Sequence, residues 1–103
     1  MKMKIVVPDT LSPYEDDLKY FFETMAKKLH TNRHKGFTKD FELESLFRGL
    51  QDEVEELELS FFSDDQFKSA VEAVDVANFA FLIGMWCLEI ERPEFVKQRK
   101  AMS

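Results

Sequence analysis

"VEAVDVANFAFLIGMWCL", residues 71–88, is apolar around nearly the whole of any helix it could form, yet it carries Asp75 and Asn78 near its start. An ionised carboxylate left alone in a low-dielectric interior costs several kcal/mol, so such a group takes a partner or a cation. A continuous apolar run of this length, ending before Pro93, reads as a buried helix rather than a strand. Just upstream, "SDDQ" (Ser63–Gln66) has the form of a capping box, with Ser63 as N-cap and acids at the positive end of the helix dipole. The third helix is therefore expected from there to about Glu91. The stretch Val76–Leu88 falls short of the roughly 20 residues that span a bilayer, and Asn78 interrupts it. It reads as core, not membrane.

Before the "FFSD" turn, Leu43, Leu46, Phe47, Leu50, Val54, Leu57 and Phe61 recur at helical intervals, predicting a second helix from near Thr38–Phe41 to about Ser60. "HTNRHKGF" (His30–Phe37) breaks the pattern and reads as a loop. Leu18, Phe21, Phe22, Met25 and Leu29 mark one face of a first helix ending near Leu29. "SPYE" (Ser12–Glu15) should start it, with Ser12 as N-cap and Pro13 in the first turn. Residues 1–11 form an N-terminal arm in which "KIVV" resembles a short strand, and residues 92–103 form a basic tail. No stretch alternates polar and apolar residues over a useful length. The expected fold is all-α, one domain over residues 1–103, a helical bundle completed by a second subunit.

The totals agree with this frame. A chain of 103 residues, 45% hydrophobic and 33% charged, suits one small globular domain. So apolar a helix in so short a chain predicts a homo-oligomer, a dimer or a tetramer. The net charge of −6 argues against nucleic acid and against anionic membranes as partners. The single cysteine, Cys87, lies in the apolar run and supports neither a disulfide framework nor a zinc site. With no export signal in "MKMKIVVPDTL", a cytoplasmic location is expected.

The second helix carries "DEVEELE" (Asp52–Glu58), five acids in seven residues, with Glu53 and Glu56 beside the apolar stripe. Like charges three or four residues apart destabilise a helix by roughly 0.2–0.5 kcal/mol per pair. The third helix offers Glu72 and Asp75 at the same spacing. An antiparallel hairpin would bring both pairs together, and four converging carboxylates make an oxygen-rich site for a hard divalent cation. Magnesium is the expected cofactor, with manganese as a substitute, and a triphosphate could complete its ligands. A solvated acidic face is the plain alternative for "DEVEELE", but it does not explain Asp75. A ferritin-type di-iron site needs Glu-x-x-His, and neither His30 nor His34 has a Glu three residues before it.

These residues resemble the all-α nucleoside triphosphate pyrophosphohydrolases, the MazG-like enzymes with their relatives the dimeric dUTPases and phosphoribosyl-ATP pyrophosphohydrolases. That family's E-x-x-E and E-x-x-D pairs are matched by Glu53–Glu56 and Glu72–Asp75. "LFRGLQDEVEEL" and "EAVDVANFAFLI" look like its two metal helices, and "NRHKGF" looks like its Lys-Gly-Trp turn with Phe37 in place of Trp. The likeness covers roughly residues 20–90.

The resemblance implies magnesium-dependent cleavage of a nucleoside triphosphate to the monophosphate and pyrophosphate. Glu53, Glu56, Glu72 and Asp75 would be the metal ligands, and Glu53 or Glu56 would orient or deprotonate water. Asn78 could hydrogen-bond the sugar or base, while Arg33, His34 and Lys35 could meet phosphate charge and Phe37 the base. A reading from another class is a non-catalytic dimerisation or regulatory module that binds metal or nucleotide without turnover.

Overall fold

A computed structural model describes residues 4–36 and 40–90; the basic tail and Phe37 lie outside the described residues. Three helices make up the architecture: α1 (Glu15–Thr31), α2 (Leu43–Phe62) and α3 (Gln66–Ile90). The described residues contain no strand, so the fold is all-α and "KIVV" does not pair. The two long helices form an antiparallel hairpin, and α1 packs on α3 rather than on α2.

The expected start of α1 needs correction. Residues Asp9–Tyr14 wind into a 3-10 helix that contains both Ser12 and Pro13, and α1 follows from Glu15. Ser12 therefore serves Glu15 through its backbone carbonyl, and no side chain caps α1. Acids in the first turn and Lys28 and His30 in the last complement the helix dipole. A second 3-10 turn, Arg33–Lys35, closes the helix at Gly36, whose φ of 113° lies in the region that glycine enters most readily.

The hairpin turn also differs from expectation. Ser63 ends α2 instead of starting α3: its hydroxyl donates to the Leu59 carbonyl at 2.7 Å. Asp64 takes a left-handed conformation (φ 58°). The amides of Asp65 and Asp64 then reach back to the carbonyls of Ser60 and Phe61 at 3.1 and 3.2 Å, the paired bonds of a Schellman stop. Asp65 is the N-cap of α3, accepting the Lys68 amide at 3.0 Å. Both termini are satisfied within three residues, which is why α2 runs two residues further than expected and α3 begins immediately.

Leu46 (1% exposed) and Val74 (4%) form the buried apolar centre of the hairpin. Gly49 lies under the Phe79 ring so closely that a Cβ there would sit 2.3 Å from Cε1. Ser69 donates to Ser60 Oγ at 3.1 Å near the turn, and Trp86 Nε1 donates to the Phe41 carbonyl at 3.0 Å at the other end. Residues Gln66–Leu88 are long and apolar enough to cross a membrane, contrary to the length argument made on Val76–Leu88 alone. In the structure this helix packs on both α1 and α2, burying Glu72, Val74 and Asn78.

Candidate metal centre

Residues three apart share a helix face, so α2 presents Glu53 and Glu56 together. The tight turn then folds α3 back so that Glu72 joins them. One carboxylate oxygen from each of these three residues lies within 4.8 Å of the others. Glu72 is 8% exposed, Glu53 is half-buried and Glu56 is open to solvent. Oε2 of Glu53 and Oε2 of Glu72 are both buried and accept no hydrogen bond from any donor.

That arrangement has an electrostatic signature. The Glu53 carboxyl is pushed up from 4.5 to about 7, first by desolvation, then by side-chain hydrogen bonding with the Glu72 carboxyl, which favours the protonated form, then by the negative charge of Glu56, Asp75 and Glu72. Two buried acceptors with no donor between them call for a proton or a cation. Carboxylate oxygens at this spacing suit a hard divalent ion, and the orphaned Oε2 atoms are the observation that makes the fit.

Asp75 lies near enough for its charge to act on Glu53, but it is not one of the three acids whose oxygens meet within 4.8 Å. Its Oδ1 accepts a hydrogen bond from Lys28 Nζ at 2.6 Å, a part-buried ion pair between α3 and α1. Here is the partner that a carboxylate on an apolar helix requires. Sequence reasoning passed over Lys28, although a signal existed: Phe21, Met25 and Lys28 fall at i, i+4 and i+7, which puts the lysine on the inward face of α1. Asn78 is 7% exposed; its Nδ2 donates to the Met25 carbonyl at 3.3 Å, while its buried Oδ1 is left without a donor.

Between α1 and the hairpin lies a cleft of about 340 Å³, lined among others by Lys28, Lys35, Glu53, Asp75, Asn78 and Phe79. The cleft brings two lysines and one member of the acidic trio to a common space. Arg33 is not in its lining: Nη1 donates to the His30 carbonyl at 2.7 Å and lies 3.1 Å from His30 Nε2. His34 turns back to the Thr31 carbonyl at 3.2 Å. A hollow of about 390 Å³ beside Phe61 and Phe62 at the hairpin turn includes none of the trio. Comparison of the chain with protein-family models, with curated proteins and with solved structures found no match, so any functional reading rests on these residues and their geometry.

Proposed function

We propose that the chain is a magnesium-dependent nucleoside triphosphate pyrophosphohydrolase, releasing a monophosphate and pyrophosphate. The observation that carries this reading is the trio Glu53, Glu56 and Glu72, with two buried orphan oxygens, whose member Glu53 lines a cleft that also holds Lys28 and Lys35. The resemblance to the MazG-like enzymes supports the same chemistry through the same acids.

Glu53, Glu56 and Glu72 would hold the ion. A divalent cation bound there would neutralise phosphate oxygens and make water acidic enough to attack near neutral pH. A glutamate of the second helix, Glu53 or Glu56, would orient the water and accept its proton. Water adds at phosphorus, the bridging oxygen leaves with the electron pair of the broken P–O bond, and that glutamate takes the proton. Lys35 offers positive charge to the polyphosphate, and Asn78 Oδ1 offers an acceptor to a sugar hydroxyl or a base amino group.

The working unit is a homo-oligomer in this reading. Phe62 (81% exposed) and Phe67 (80%) stand in solvent on the single chain, together with Leu59 and Phe61, more apolar surface than a small monomer usually leaves uncovered.

A panel of ribo- and deoxynucleoside triphosphates, assayed for monophosphate and pyrophosphate with and without magnesium, tests the proposal beside Glu72→Gln. Magnesium-dependent pyrophosphate release that disappears in the variant is the expected result. A folded wild-type chain that turns over no nucleotide would reject it in favour of the non-catalytic module.

A further inference from the structure

We infer that the centre is built for one divalent cation, held by Glu53, Glu56 and Glu72, and that Lys28, pinned by Asp75, is the second positive charge of the site. The inference rests on the metal-dependent reading above and narrows it: Asp75 positions a lysine and does not ligate the ion.

The geometry separates the four acids into three and one. Oxygens on opposite sides of a single ion with metal–oxygen bonds of about 2.0–2.6 Å lie roughly 4–5 Å apart. The trio spans 4.8 Å at most, which one ion can bridge. Its most enclosed member, Glu72, is more than nine-tenths buried and keeps Oε2 unpaired. Asp75 is outside this group and is ion-paired, its Oδ1 at 2.6 Å from Lys28 Nζ. That distance is at or below the short end of charge-assisted contacts, about 2.7–2.9 Å.

The two charges also come from different parts of the fold. All three acids of the trio belong to the α2–α3 hairpin, whereas Lys28 arrives from α1 across 47 residues of sequence. An ammonium has three donors, and the bond to Asp75 uses one. Two remain for a ligand in the cleft that Lys28 lines with Lys35 and Asn78. A lysine held there is a cation that cannot dissociate, so part of the attraction for an anionic ligand persists when the divalent ion is absent. With a second metal in that place, Asp75 would have to release Lys28 first.

Manganese titration of the full chain, following free Mn2+ by its electron paramagnetic resonance signal and heat by calorimetry, tests this without any turnover. Wild type should bind one ion per chain. Asp75→Asn should keep that stoichiometry and change affinity by less than about threefold, while Glu72→Gln should lose at least about tenfold, the scale on which even outer-sphere partners act. Lys28→Met, by releasing Asp75, should create a second and weaker site that vanishes in Lys28→Met/Asp75→Asn; Lys28→Arg should retain a single site.

Helicity by circular dichroism checks each variant. The double variant and Asp75→Asn leave no unpaired carboxylate at 75, so they decide the matter if Lys28→Met does not fold. Two ions on wild type, or a tenfold loss in Asp75→Asn, overturns the inference while leaving the pyrophosphohydrolase reading intact. One ion without nucleotide turnover has the opposite effect, and no manganese binding overturns both.

Discussion

Replacing Glu53 by Gln should make the metal-free protein more stable, and the gain should depend on pH in a defined direction. In the folded chain the Glu53 carboxyl holds its proton to about 7, against 4.5 for the free side chain. Between those values the folded state binds more protons than the unfolded one, so wild-type stability in chelator falls as pH rises through that window. At 1.36 kcal/mol per unit the shift corresponds to about 3 kcal/mol once the group is ionised. The side chain is only part-buried, and solvent screening reduces this to about 1–2 kcal/mol.

For a domain of this size that is a rise in melting temperature of roughly 5–15 °C for Glu53→Gln at alkaline pH, shrinking to nearly nothing in acid. Thermal unfolding followed by circular dichroism in chelator, across several pH values, reads it directly. Saturating divalent cation should reverse the order, because wild type gains about 2.7 kcal/mol at 100 times its dissociation constant while the variant gains less. A variant that melts below wild type at alkaline pH in chelator, or a wild type whose stability is flat across the window, would refute the electrostatic account of the centre.

Other consequences are equally open to measurement. Gly49→Ala pushes a methyl against the Phe79 ring and should cost about 1–3 kcal/mol by denaturant titration, and since Phe79 also lines the cleft, ligand affinity should fall with it. Asp65→Ala removes the N-cap of α3 and should lower stability by about 1 kcal/mol. Asp64→Gly relieves a left-handed residue and should be neutral or stabilising by up to about 1 kcal/mol, whereas Asp64→Val should destabilise; equal melting temperatures for the two would contradict the turn geometry. Light scattering should give a mass at least twice the 12.2 kDa of the chain, and a monodisperse monomer would remove the oligomer from the proposal.

The all-α class was legible because Leu46, Leu50, Val54 and Leu57 recur with helical spacing and nothing in the chain alternates. Convergence of Glu53 and Glu56 with Glu72 was legible for a related reason: a hairpin with a tight turn leaves little freedom in which residues face each other. Capping was harder to read. "SPYE" and "SDDQ" both look like helix starts, but a pattern of residue types does not say whether a hydroxyl is free; Ser12 is inside a 3-10 helix, and Ser63 is engaged with Leu59. Lys28 was the larger omission. A lysine on a helix usually lays its stem on apolar surface and keeps its charge in water. Its contact with Asp75 is set by how α1 settles on α3, which no local spacing encodes.

That α1 leans on α3 and not on α2 gives the molecule two parts of unequal permanence. The hairpin carries the three glutamates and closes on itself through a satisfied turn, so its amides should exchange with solvent deuterium only when the hairpin opens. Among the described residues, α1 is fastened to the hairpin by one ion pair, one amide-to-carbonyl bond and a limited contact with α3, and its amides should exchange sooner. If α1 detaches first, exchange should rise along α1 while the α2–α3 amides beside the three glutamates stay protected, so the arrangement of the glutamates is expected to outlast an opening of α1.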